Sequence, residues 1–212
     1  MRNLIIAIIL SCSCLLGCKE RVVKIACIGD SITQGFGREN PDSYPNQLNV
    51  MLGENKEVIN FGVSGRTMLK KGDFPLWKES TFSDALQYKA DIAIILLGTN
   101  DSKPQNWNQY GKEFHKNYLG MIDTLKKTNP QLQVFVCYPP RAFKDVWGIR
   151  DSVIVNGVIP VVDSVLIETN SKLIDFHSAL FDNENLFPDK IHPNRVGYTR
   201  MAEIVKGAIA KK

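Results

Sequence analysis

The sequence predicts an α/β protein, a three-layer α/β/α sandwich around a five-stranded parallel sheet. Two observations carry that expectation. Five short β-rich runs are apolar almost throughout, without the polar alternation of a half-exposed strand, so both faces of their sheet are covered. Between these runs lie stretches with helical spacing of apolar residues, and strands alternating with helices close into right-handed βαβ units.

The first strand is read at Val22–Ile28, ending at Gly29, and the second at Glu57–Phe61, closed by Gly62. Asp91–Leu97 is the third, Gln133–Tyr138 the fourth, stopped by Pro139 and Pro140, and Lys172–Phe176 the fifth. A helix is expected over Ser43–Leu52, with Asp42 or Ser43 as its cap. Another spans Tyr110–Lys127, where Phe114, Tyr118, Met121, Ile122 and Leu125 make an apolar stripe. Pro160–Glu168 suits a helix with proline in its first turn, and Val196–Ile209 a closing helix capped by Asn194. The irregular regions 62–82, 98–108, 139–159 and 177–194 all follow strands. In open α/β sheets the site lies at those carboxyl ends.

Composition narrows the function. The chain has 212 residues, 44% hydrophobic and 23% charged, which fits a single globular unit and excludes a disordered chain or a polytopic membrane protein. The net charge of +4 is small and dispersed, which argues against a nucleic-acid partner. The first residues read as an export signal: Arg2, then the apolar run Leu4–Leu10, too short to span a bilayer. Leu15-Leu16-Gly17-Cys18 resembles the lipobox of bacterial lipoproteins. That resemblance implies a signal peptide over 1–17, lipidation of Cys18 and a membrane-anchored, exported protein at the periplasmic face or cell surface. An ordinary signal peptide cut near Cys18, or an uncleaved anchor, is the alternative. Residues 18–22 would be anchor and tether, and 23–212 the folded domain. Cys27 and Cys137 fall in apolar strands and read as buried free thiols, although export permits a disulfide. Without a CxxC pair, a zinc cluster has no basis.

Four segments at strand ends can carry chemistry. They are Gly29-Asp30-Ser31, Asn60 to Gly65, Gly98-Thr99-Asn100-Asp101, and Asp189-Lys190-Ile191-His192. Acyl transfer needs a hydroxyl nucleophile, a base, a carboxylate to orient the base, and donors for the developing oxyanion. Ser31 supplies the hydroxyl and its own N–H, and Gly65 an N–H that no side chain obstructs. Asn100 supplies a side-chain amide, His192 the base and Asp189 its carboxylate. Asp101 is read as bracing its loop through backbone hydrogen bonds, His115 as solvated and His177 as structural. Gly35-Phe36-Gly37 is too short for a dinucleotide loop.

Together and in this order, Ser31, Gly65, Asn100 and His192 resemble the SGNH/GDSL hydrolase superfamily, over Gly29 to about Ala202. The resemblance implies a metal-free, cofactor-free esterase with a Ser-His-Asp triad. The absence of a GxSxG elbow separates the chain from the larger α/β-hydrolases. The layout is also similar to bacterial carbohydrate and sialate O-acetylesterases. In the loop after the fourth strand, Trp147 offers an aromatic face for a sugar, and Arg141 and Arg150 offer guanidinium groups for a carboxylate such as that of sialic acid. The expected substrate is an acetylated carbohydrate. A lysophospholipase or short-chain lipid esterase is the alternative enzyme, and an inactive glycan-binding lipoprotein the alternative of another kind.

Overall fold

The computed structural model describes residues 21–210, so the expected signal segment and Cys18 lie outside the described residues. The five strands are β1 (Val23–Gly29), β2 (Lys56–Gly62), β3 (Ile92–Leu96), β4 (Gln133–Tyr138) and β5 (Lys172–Asp175). All pair in parallel, in the order β2-β1-β3-β4-β5. The chain leaves β1 in one direction to make β2, then crosses to the other side of β1 to make β3. The sheet's switch point therefore lies between the carboxyl ends of β1 and β3, where a crevice opens. Gly29 stands level with Gly62 on one side and with Leu96 on the other. Three of the four expected segments thus emerge side by side.

Side chains divide along each strand with period two. Ala26, Ile28, Ala93, Ile95, Val134 and Val136 face one layer of helices. That layer holds α3 (Ser80–Tyr88), α5 (Phe114–Thr128) and α7 (Ile159–Thr169). Ile25, Cys27, Ile94, Phe135, Cys137 and Ile174 face the other, formed by α2 (Tyr44–Leu52), the short α8 (Phe176–Ala179) and α9 (Arg195–Ala210). The expected helical stripe of α5 is buried, as are Tyr198, Met201 and Val205 of α9. Cys27 and Cys137 are free and buried, and burial pushes the Cys27 thiol up to about 12, so neither is a ready nucleophile.

Several expectations need correction. Helix α3 falls where no helix was expected, because Phe82, Ala85, Leu86 and Tyr88 mark its apolar side among polar residues and no side chain caps its start. The polar α4 (Pro104–Tyr110) occupies part of the expected irregular stretch 98–108. The helix at Pro160 begins earlier: α6 (Asp151–Val153) and a π-helical stretch, Ile154–Val158, lead into α7 without a break. Pro160 has no N–H to return to the preceding turn, and the wide π turn absorbs that mismatch. Ser43 stands at the N-cap of α2 but makes no side-chain cap bond, whereas Asn194 accepts the Gly197 N–H at 3.0 Å at the start of α9, as expected.

Candidate active site

Ser31 is the first residue of α1 (Ser31–Gln34), a single turn set directly on the end of β1. A turn this short does not hold itself. Asp30 caps it, its Oδ1 accepting the Ile32 N–H at 3.0 Å. Two glycines let it sit down on the sheet. A Cβ on Gly29 would stand 2.2 Å from Thr33 Oγ1 and 2.5 Å from the Leu96 carbonyl, and one on Gly62 would stand 2.3 Å from Gln34 N.

The segment before α9 meets this turn. His192 Nε2 lies 2.8 Å from Ser31 Oγ, and His192 Nδ1 lies 2.8 Å from Asp189 Oδ2. Asp189 Oδ1 accepts the backbone N–H groups of Ile191 at 3.0 Å and His192 at 2.7 Å. Partial burial pulls the Asp189 carboxyl upward. The N–H groups of His192 and Ile191, with the imidazole, outweigh that pull and hold it below the usual carboxylate range. An ionised Asp189 orients the ring with Nδ1 as donor, leaving Nε2 free to accept from the serine hydroxyl.

Asn100 comes from the end of β3 and is buried. Its amide donates to Asp30 Oδ2 at 3.2 Å, so one carboxylate holds both the serine turn and this side chain. Gly65 has φ +78°, the left-handed region that favours glycine. Its loop is tied by the Ser64 N–H donating to Gln34 Oε1 at 2.9 Å, and by Arg66 donating to the Ser64 carbonyl and to Glu79. Asp101 braces the neighbouring loop as expected, accepting the Met68 and Leu69 N–H groups at 3.0 and 2.8 Å.

Ser31, Gly65, Asn100 and His192 line one cavity of about 260 Å³. Ser64, Lys103, Trp147 and Ile149 complete its wall. The Trp147 ring lies 5.7 Å from the His192 ring, tilted by 44°. The two expected arginines are elsewhere. Arg141 lies over the Phe181 ring at 4.4 Å and beside Asp151, while Arg150 donates to the Ser102 carbonyl at 2.8 Å and to Asn108; neither lines the cavity. Lys103 is the cationic residue that sequence reasoning missed, and its place three residues after Asn100 was the available signal. His115 pairs with Glu168 on the surface, and His177 packs near Asp151.

Residues 27–200 match the GDSL-like Lipase/Acylhydrolase family. The chain belongs to this family. An acetylxylan esterase of Xylanibacter ruminicola is 43% identical over 211 residues, covering 90% of this chain and 44% of that protein. The chain thus spans less than half the length of that relative. Among solved structures, the acetyl xylan esterase AlAXEase superposes with a TM-score of 0.72 at 22% identity, covering 88% of this chain and 100% of that one. A G-D-S-L family member from Veillonella parvula superposes at 0.68 and 20% identity, covering 90% and 100%. At these identities the superpositions speak for the fold: the GDSL-family sandwich is the one described above.

Burial raises two carboxyls at this GDSL site, Asp30 to about 6 and Asp101 to about 7. A carboxyl held above its unfolded value binds its proton more tightly in the native state. Its ionisation therefore costs stability as pH climbs from about 4 through about 7. Asp101→Asn removes that cost but turns an amide toward one of the two N–H groups. The variant should be less stable than the wild type by about 1–3 kcal/mol at pH 5. The deficit should be smaller at pH 8. Urea unfolding at the two pH values checks this, and a deficit that is constant or wider at pH 8 contradicts it.

Proposed function

We propose that this domain is a serine esterase that removes O-acetyl groups from carbohydrates. The observation that carries the reading is the chain of short contacts from Asp189 through His192 to Ser31, opening into a small cavity. His192 Nε2 takes the Ser31 proton as Oγ attacks the acetyl carbonyl. The Asp189 carboxylate balances the imidazolium that forms. The Ser31 and Gly65 N–H groups and the Asn100 amide receive the negative charge developing on the carbonyl oxygen. His192 then gives its proton to the departing sugar hydroxyl, and water enters by the same route to release acetate and restore Ser31.

Substrate size supports acetate over a long acyl chain. The cavity's 260 Å³ falls below the roughly 300–1,000 Å³ of sites that enclose drug-sized ligands, and polar side chains share its wall with Trp147 and Ile149. Trp147 gives a sugar ring a surface on which to stack. The name of the 43% identical relative, acetylxylan esterase, supports acetylated xylan as the first polymer to try, with O-acetyl sialic acids beside it. A lipid esterase remains the competing reading, and acyl-chain preference separates the two.

The expected result is acetate release from acetylated glycans that Ser31→Ala abolishes. On p-nitrophenyl esters, acetate should be preferred to octanoate. Asn100→Ala should lower kcat by about 10²–10³-fold, the effect of losing one oxyanion donor. Octanoate preference would favour the lipid reading, and hydrolysis undiminished in Ser31→Ala would overturn the mechanism.

We further propose that residues 1–17 are an export signal and that Cys18 is lipidated, holding the enzyme to a bacterial envelope. Several acyl chains at about 0.8 kcal/mol per methylene anchor a protein firmly. Cys18→Ala should move the full chain from the membrane fraction to the soluble one, and unchanged fractionation contradicts the anchor.

A further inference from the structure

The cavity wall contains one charged group that the acyl-transfer chemistry does not use. Lys103 lines the cavity together with Ser31 and His192, and no carboxylate lines it. Among the described residues its ammonium makes no hydrogen bond, ion pair or ring contact. Its backbone is fixed: its N–H donates to the Asn100 carbonyl at 3.3 Å, and its own carbonyl accepts from Trp107 N at 2.9 Å. The backbone that carries the charge is therefore held beside Asn100, and the flexible stem lets the ammonium follow a ligand. A partly exposed lysine at a cavity wall, bonded to no carboxylate among the described residues, is placed to meet an anionic group on a ligand.

Trp147 stands on the same cavity. Its φ is +52°, a backbone region that strains a bulky residue, and Gly148 follows at +78°. This double left-handed turn sets the indole beside His192, 62% exposed. The Lys103 stem lies near Gly148: a Cβ there would stand 3.8–3.9 Å from Lys103 Cγ and Cβ. An aromatic wall and an unpaired cation thus flank one opening.

We propose that Lys103 is a specificity-determining residue, and that the preferred substrate is an acetyl ester on a sugar that itself bears a carboxylate, a uronic or sialic acid. This rests on the carbohydrate-esterase reading above. With the acetyl group at Ser31 and the ring against Trp147, the sugar carboxylate meets the Lys103 ammonium, which makes no ion pair among the described residues. The guanidinium groups first suggested for this task are tied to Phe181, Asp151, Ser102 and Asn108.

Lys103 also stands close enough to favour the ionised form of Asp30, so an indirect role must be distinguishable. The test measures kcat/KM on methyl glucuronide and methyl glucoside carrying acetyl at the same position, with O-acetyl-N-acetylneuraminic acid as a second acidic sugar. The wild type should favour an acidic ester by about tenfold, as one partly desolvated charge pair allows. Added salt should erode the preference. Lys103→Gln should bring the ratio near one through KM, and Lys103→Arg should keep most of it. A preference for either acidic sugar supports the inference and identifies which one is met. Equal rates on acidic and neutral esters in the wild type overturn the inference and leave the esterase reading standing. So does an equal loss on both esters in Lys103→Gln, which would assign Lys103 to Asp30. If the wild type cleaves none of these esters, nor p-nitrophenyl acetate, the esterase reading itself fails.

Discussion

One buried carboxylate joins the parts of this site. Asp30, wholly enclosed, accepts the Ile32 N–H with one oxygen and the Asn100 amide with the other. The first bond fixes the four-residue turn that presents Ser31, and the second fixes a side chain carried by a different strand. Placing this carboxyl away from water is costly, and burial raises it to about 6. Most globular cores avoid such a group. Here it couples the spacing between Ser31 and Asn100 to the spacing between β1 and β3, which the apolar sheet sets.

The sheet supplies that rigidity through its topology. Adjacent parallel strands end level with one another, so loops distant in sequence emerge together: 161 residues separate Ser31 from His192, yet their reactive atoms lie 2.8 Å apart. His192 reaches the crevice from the segment before α9, beyond the last strand. Phe143 donates its N–H to the Lys190 carbonyl, and Ala142, Ile149 and Ile154 pack on Ile191, next to His192. The long loop after β4 therefore does two things. It clamps the histidine segment, and it turns Trp147 toward the opening.

The five strands were legible to within a residue or two at each end, because runs such as Ile92–Leu96 are apolar on both faces and have no other stable placement. Four of the residues that meet at the cavity were legible as well. Ser31, Gly65, Asn100 and His192 stand at strand ends or before a capped helix, where local pattern and topology agree. Helix α3 was not, since its buried side is only three residues wide. Neither was the early start of the helix through Pro160, because a proline ordinarily marks a beginning and here sits inside a run relieved by a π turn. The loop after β4 shows the limit of composition. Its Trp and two Arg suggested a sugar site, yet only tertiary contacts decide which face the cavity: Trp147 does, both arginines are engaged elsewhere, and Lys103 from another loop supplies the charge.

The central claim is that Ser31 is the activated nucleophile, and covalent trapping tests it most directly. A fluorophosphonate reagent should label the protein with one equivalent per chain, and peptide mass spectrometry should place the adduct on Ser31, with labelling abolished in Ser31→Ala and much slower in His192→Ala. An adduct on another residue, or labelling that persists in Ser31→Ala, would contradict the account.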